Sequence, residues 1–298
     1  MNPNPHASGQ ISSALIACPQ GPPATAGAGA LAAIGLSGPH PVLILVGGAA
    51  SLDGGVAAQL LPLFTGLVPL LDRLGVAVID GGTPFGVMAL MGAARQRAVG
   101  GFPLIGIAPR GRVDAPAGIS PGGHGCSSVL PSDDSGGYFH PDQAAVEVQV
   151  AGPNGPLTGS APRQDRGDFE PRVTLDPHHS HFLLVPGERW GDESPWLTAA
   201  AERLAGGRGT LMLVAGGGEV TRWDVLHRLR QRGRVLALAG SGGTADALVA
   251  WCRGEQPPPV AELTGVDHAR MEVLDLMAAR DQLPRLLAQA FATRKREK

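Results

Sequence analysis

Apolar residues in this chain fall into short runs, and amphipathic stretches of about a dozen residues separate them. Residues 41–46 (P-V-L-I-L-V), 76–79 (V-A-V-I), 102–108 (F-P-L-I-G-I-A), 182–185 (F-L-L-V), 210–214 (T-L-M-L-V) and 235–239 (V-L-A-L-A) each read as a strand buried on both faces. Residues 11–17 read as an edge strand and 24–36 as an alanine-rich helix. Helical spacing covers the run from the Asp53 cap toward Asp72, where Pro62 and Pro69 predict a kink or a break. It recurs after residue 83, from Ser194 to about Leu204, from Thr221 to Arg232, and after Gly243, where Ala245, Leu248, Val249 and Trp251 face inward. Residues 267–292 read as one or two helices interrupted near Pro284. Strands alternating with helices predict an α/β fold: a Rossmann-like open parallel sheet with helices on both faces. One long irregular insertion, residues 110–172, interrupts it. That insertion is rich in Gly, Pro, Ser and Asp, and only residues 144–150 alternate like a strand, so it is either a small flap or disorder.

The stretch 76–92 organises the rest. A buried strand leads into Asp80, Gly81 and Gly82, where backbone N–H groups can approach a ligand closely because two residues lack a Cβ. Thr83 then predicts an N-cap, Pro84 the first helical position, and Val87, Met88, Leu90, Met91 and Ala94 the packed face. Three other strands end in the same way, at Gly47-Gly48 with Ala49 and Ala50, at Gly216-Gly217-Gly218, and at Gly240-Ser241-Gly242-Gly243. In an open parallel sheet all these tips share one edge, where ligands bind at the topological switch point. Helix starts also carry unpaired amides and the positive end of a dipole, so the expectation is a site for a phosphate-bearing ligand.

Composition narrows the partners. A formal charge of −2 lacks the basic stripe of a nucleic-acid surface. Cys18, Cys126 and Cys252 are odd in number and far apart, with neither disulfide nor zinc spacing, which fits a reducing compartment. The 44 glycines and 27 prolines bring the chain close to the ~25–30% typical of low-complexity disorder. No secretory pattern opens the chain and no uninterrupted apolar run nears ~18 residues, so a cytoplasmic protein without membrane insertion is expected.

Other chemistry is less specific. Asp176, His178, His179 and His181 invite a metal reading, with His179 and His181 sharing a strand face. With no third well-spaced ligand and no cysteine, a hydrogen-bonded strand end or a direct ligand contact is preferred, and no metal is expected. Glu219 serves either a ribose or acid role or simply the helix dipole. Arg110 and Arg112 follow the third strand and could reach a phosphate. Gly240-x-Gly242-x-x-Ala245 matches a relaxed dinucleotide fingerprint, but too little chain follows for a dehydrogenase. No P-loop and no nucleophile elbow is present.

These stretches together resemble the LSDAT branch of the SLOG superfamily. That is the Rossmann-like module at the cytoplasmic N-terminus of melastatin-type TRP (TRPM) channels and of stand-alone prokaryotic proteins. G-G-T-P-F-G-V-M (81–88), F-P-L-I-G-I-A-P (102–109), L-D-P-H-H-S-H-F-L-L-V (175–185), W-G-D-E-S-P-W (190–196), the glycines before Glu219 and G-S-G-G-T-A-D (240–246) carry the resemblance. It implies a sensor domain for nucleotide-derived ligands, ADP-ribose or a related NAD-derived molecule first among them. Contacts would come from Gly47, Gly48, Ala49, Gly81, Gly82, Thr83, Gly86, His179, Ser180, His181, Gly217, Gly218, Glu219, Gly240, Ser241, Gly242 and Gly243, and no cofactor is required. The superfamily's LOG enzymes, nucleoside-monophosphate phosphoribohydrolases, supply the alternative, an N-glycosidase using Glu219 or Asp224. Gly217, Gly218 and Thr221 fit the second enzyme motif, but Val220 replaces a glycine and Asp224 stands where the catalytic glutamate belongs. A ligand-free scaffold is the third reading. Expected domains are a leader (1–40), the Rossmannoid domain (41–265), and C-terminal helices with a basic tail (266–298). A separate effector protein encoded nearby and a homo-oligomer are possible partners.

Overall fold

The computed structural model describes residues 14–36, 38–49, 52–114 and 172–292. Eight parallel strands form one sheet: β1 (Ala14–Ala17), β2 (Val42–Gly47), β3 (Ala77–Asp80), β4 (Leu104–Pro109), β5 (His181–Val185), β6 (Thr210–Ala215), β7 (Arg234–Ala239) and β8 (Met271–Asp275). Their order across the sheet is β1-β5-β4-β3-β2-β6-β7-β8. From β2 the chain steps outward through β3 and β4 to β5, then returns to β6 on the other side of β2 and steps outward again. The direction reverses between β2 and β6, which makes their carboxyl ends the switch point.

Strand residues alternate between two cores, as period 2 demands. Val42, Ile44 and Val46 face α1 (Pro23–Ala33), α4 (Ser194–Ala205), α5 (Glu219–Arg230) and α6 (Gly243–Cys252). Leu43 and Leu45 face α2 (Gly54–Leu74), α3 (Gly86–Arg97) and α7 (Leu276–Phe291). Asp53 caps α2, accepting from the amides of Gly55 and Val56.

Three expectations need correction. α2 runs unbroken through Pro62 and Pro69. Both prolines are exposed and lie seven residues apart on one solvent face, where water can satisfy the freed carbonyls. Each costs about 3 kcal/mol, whereas the eight buried residues of α2 contribute roughly 1.5–3 kcal/mol for each large apolar side chain, so packing prevails. α2 is also long and apolar enough to cross a membrane, yet here its apolar residues sit in the core beside α3. Second, α3 starts at Gly86 with Phe85 as N-cap, not at Thr83 and Pro84. The Thr83 hydroxyl is directed instead to Met88 Sδ at 3.5 Å, and the carbonyl of Gly48 receives the Val87 amide at 3.0 Å. A neighbouring strand tip has replaced the side-chain cap. Third, residues 271–275 form an edge strand and not helix, and α7 continues through Pro284. Only Leu274 of that strand is buried, so its apolar signal is a single residue.

The insertion leaves and returns at one place. Val113 bridges Val173, with Asp114 N–H donating to Val173 O and Val173 N–H to Arg112 O. The strand-like stretch 144–150 lies outside the described residues.

Candidate functional site

Three of the four glycine turns interlock at the switch point. Gly48 N–H donates to Ala215 O, Gly216 N–H to Ser241 Oγ at 2.9 Å, and Thr244 N–H and Ala245 N–H to the carbonyls of Gly217 and Gly216. A Cβ on Gly47 would overlap Ala215 O, and one on Gly243 would overlap Gly217 O. The start of α3 joins them, because Gly86 (φ +50°) lies against the Gly48 carbonyl with no room for a side chain. These backbones are packed as closely as glycine allows.

The fourth turn is set apart. β3 ends at Asp80, level with Gly106 and Phe182, so its tip sits roughly 7 Å below those of its neighbours. Gly82 (φ +68°) packs on Gly106, its N–H donates to Asp80 Oδ1 at 2.7 Å, and its carbonyl accepts from Asp176 N–H. The amide expected to meet a phosphate is therefore taken by the protein itself.

Asking where each turn's amides go separates them further. Gly240 and Gly242 donate to the Asp246 carboxylate at 2.7 and 3.1 Å, and Ser241 Oγ donates to Leu238 O. At the start of α5 the situation differs. Gly218 is the N-cap with no side-chain bond, and among the described residues the N–H groups of Gly217, Gly218, Glu219 and Val220 have no acceptor. Gly218 and Glu219 are exposed. This is the open helix N-terminus at the switch point, flanked by Gly48 on one side. Thr221, one turn below, points its hydroxyl at Gly47 O, 3.4 Å away.

The histidines do not join this cleft. His179 is fully buried, with Nε2 at 2.8 Å from Asp80 Oδ1 and Nδ1 at 3.1 Å from Asp176 Oδ2. Burial works to lower its pKa, but the Asp80 charge and its contacts with both carboxylates outweigh that and raise it to about 9. Asp176 is pushed by burial in the opposite direction, yet bonds from His178 and His179 bring it down to about 2. The result is an imidazolium clasped between two carboxylates, with Asp80 Oδ2 left without a hydrogen bond. The clasp ties β3, α3 and the segment before β5 together. Gly92 of α3 has no Cβ to collide with Asp176, and Arg95 Nη1 donates to His178 O. Ser180 Oγ bonds Leu104 O, and His181 begins β5 near the amino edge of the sheet, three strands from β2. His179, Ser180 and His181 are thus bonded within the protein and lie away from the interlocked turns. Arg110 and Arg112 are engaged too: Arg110 Nη2 donates to Cys18 O and Arg112 stacks over Trp190.

Two acids meet where none were expected as a pair. Asp224 on α5 and Glu193, the N-cap of α4, are each 5% exposed. Burial, then the charge of Asp224, raises Glu193 to about 8, and burial raises Asp224 to about 7. In the sequence Asp224 stands out only as the acid at the enzyme motif's glutamate position, and Glu193 does not stand out. The available signal was an acid immediately before a Ser-Pro helix start. Among the described residues no three His, Cys, Asp or Glu side chains converge as a metal-ligand set. A groove of about 900 Å³ lies at the opposite, amino-terminal edge, bordered by Arg73, Arg208 and Arg234, and none of the four turns reaches it.

Residues 40–131 and 143–283 match the family model described as SLOG in TRPM, prokaryote. No curated protein is significantly similar in sequence. Solved structures with a related outline include a structural-genomics target (16% identity, TM-score 0.45). Two others are the molybdenum cofactor binding protein of Rippkaea orientalis (12%, 0.41) and the molybdenum cofactor carrier protein of Chlamydomonas reinhardtii (15%, 0.42). Each aligns over 84% of this chain and 99% of its own.

Proposed function

Because the chain belongs to the prokaryotic SLOG-in-TRPM family, we propose that it is a sensor for a nucleotide-derived ligand, ADP-ribose or a related NAD-derived molecule. The ligand's phosphate sits on the start of α5. One observation carries this reading: among the described residues the amides of Gly217, Gly218, Glu219 and Val220 have no acceptor at the switch point, while those of Gly48, Gly216, Gly240 and Gly242 are bonded within the protein. Several donors and a helix dipole aimed at one place favour an anion. Glu219, exposed at the rim, is the side chain placed for ribose hydroxyls. The cytoplasmic setting and a separate effector protein belong to the same proposal.

A melting-temperature panel with ADP-ribose, NAD, AMP, cyclic ADP-ribose and inorganic phosphate tests it. At a hundred times its Kd a ligand stabilises the fold by ~2.7 kcal/mol. A rise with the nucleotides supports the sensor, and no rise with any of them leaves the scaffold reading. The hydrolase remains the second reading because Asp224 lies one turn below these amides with its pKa raised to about 7, a value suited to acid–base work. Release of base from AMP, lost in Asp224→Asn, would decide for it.

A further inference from the structure

α4 and α5 run side by side, and residues three or four apart define the stripes that face each other. On α4 the stripe is Ser194, Thr198 and Glu202, and on α5 it is Thr221, Asp224 and Arg228. At the far end opposite charges meet: Arg228 Nη1 bonds Glu202 Oε1 at 2.5 Å, and its Nη2 reaches Thr210. At the end nearest the switch point the charges are alike. Asp224 and Glu193 are both buried, and among the described residues neither is in an ion pair. Glu193 Oε2 accepts the Gly191 amide at 2.7 Å, a backbone contact that brings no charge.

Hydroxyls surround them without satisfying them. Ser194 and Thr198 are fully buried, and Ser194 Oγ, Thr198 Oγ1 and Asp224 Oδ1 make no hydrogen bond. The Ser194 hydroxyl is near enough to temper the rise of the Asp224 pKa but does not reach hydrogen-bond geometry. The Arg228–Glu202 lock fixes the register of the two helices, so the stripe spacing sets Thr198 opposite Asp224. A buried carboxylate demands a counter-charge, and the described side chains provide none in an ion pair with either acid. The donors gathered here are all hard oxygens, with no nitrogen or sulfur among them. That set suits magnesium or calcium rather than zinc.

We propose that Asp224 and Glu193, with the hydroxyls of Ser194 and Thr198, form a binding site for a hard divalent cation of the magnesium or calcium class, buried between α4 and α5 beneath the switch point. Magnesium is commonly held by one or two carboxylates, with water and phosphate oxygens completing its shell. The unpaired amides at the start of α5 lie one turn above, so cation and anion sites adjoin. The cation site stands whether or not a nucleotide binds there.

The test uses the full chain and the metal alone. Melting temperature and tryptophan fluorescence are followed at pH 8 with MgCl2 or CaCl2 against NaCl of equal ionic strength. Trp223, next to Asp224 in the chain, is the local reporter, identified by Trp223→Phe. The expected result is a saturable fluorescence change and a rise of about 5 °C or more at a hundred times Kd with one of the two cations. Both are lost in Asp224→Asn and Glu193→Gln, variants that fold and melt above the wild type without metal because their like charges are gone. An equal response in wild type and variants overturns the proposal by placing the ion elsewhere. No response in the wild type overturns it too, and leaves the pair holding only a proton.

Discussion

Two buried polar clusters in this protein hold the same acidic content and differ by one imidazole. On one face of the sheet Asp80 and Asp176 enclose His179, and the positive ring answers both carboxylates. On the other, Glu193 and Asp224 are buried within reach of each other's charge beside hydroxyls, with no cationic side chain paired to them among the described residues. The first cluster carries its own counter-charge and fixes the β3–α3 turn by holding Gly82 at both its N–H and its carbonyl. The second is incomplete, and it is the one that adjoins the open amides of α5. Charge compensation therefore distinguishes a device that holds the fold from one that waits for a partner.

Breaking the comparison at the clasp has the largest effect. His179→Ala leaves two buried carboxylates unanswered and is expected to cost about 3–5 kcal/mol, read from urea denaturation at pH 7. A loss below ~1 kcal/mol would show that the clasp is not what binds β3 to the segment before β5.

A second, smaller effect has the opposite sign. Asp224→Asn or Glu193→Gln is expected to stabilise metal-free protein by about 1–2 kcal/mol at pH 8, since neutral isosteres remove the like-charge repulsion. The gain should disappear near pH 5, where the wild-type pair is protonated.

The pH profile sharpens the same contrast. His179, raised to about 9, contributes stability that is full below ~6.5 and is lost as pH rises through 9. Asp176, lowered to about 2, contributes stability present above ~3.9 that is lost as pH falls through 2. The acids raised to about 7 and 8 bind protons more tightly folded than unfolded, so stability declines from pH ~4 to 8. Urea midpoints across pH 5 to 8.5 should fall throughout in the wild type, whereas in the double variant Asp224→Asn/Glu193→Gln they should hold to about pH 6.5 and then fall less steeply, with His179 alone titrating. A flat wild-type profile would contradict the raised acids.

Glu202→Gln should do least. Arg228 is buried but Glu202 is 51% exposed, and water screens the pair to below ~1 kcal/mol.

Most of the sheet was readable before any coordinates, because strands buried on both faces write themselves as unbroken apolar runs such as 41–46 and 235–239. The glycine turns were readable for the same reason that they interlock: only residues without a Cβ allow Gly47, Gly86 and Gly243 to approach neighbouring carbonyls. What failed was everything that depends on a partner distant in the chain. Thr83 lost its capping role to Gly48, and the Gly82 amide went to Asp80. The ligand-like His179 closed on an aspartate 99 residues away. β8 was missed because an edge strand with one buried residue has no apolar pattern of its own. Glu193 carried no periodic signal, since its meaning comes from Asp224 on another helix.

The central claim is that the start of α5 holds a phosphate. Gly218 is suited to test it, being exposed, with φ −115° and nothing within 4 Å of where a Cβ would stand. Calorimetric titration of ADP-ribose into wild type, Gly218→Ala and Gly218→Asp makes the measurement. The account predicts near-unchanged affinity for the alanine variant and a loss of at least about 100-fold, roughly 2.7 kcal/mol, for the aspartate, whose carboxylate takes the phosphate's place. Equal binding by all three would contradict it.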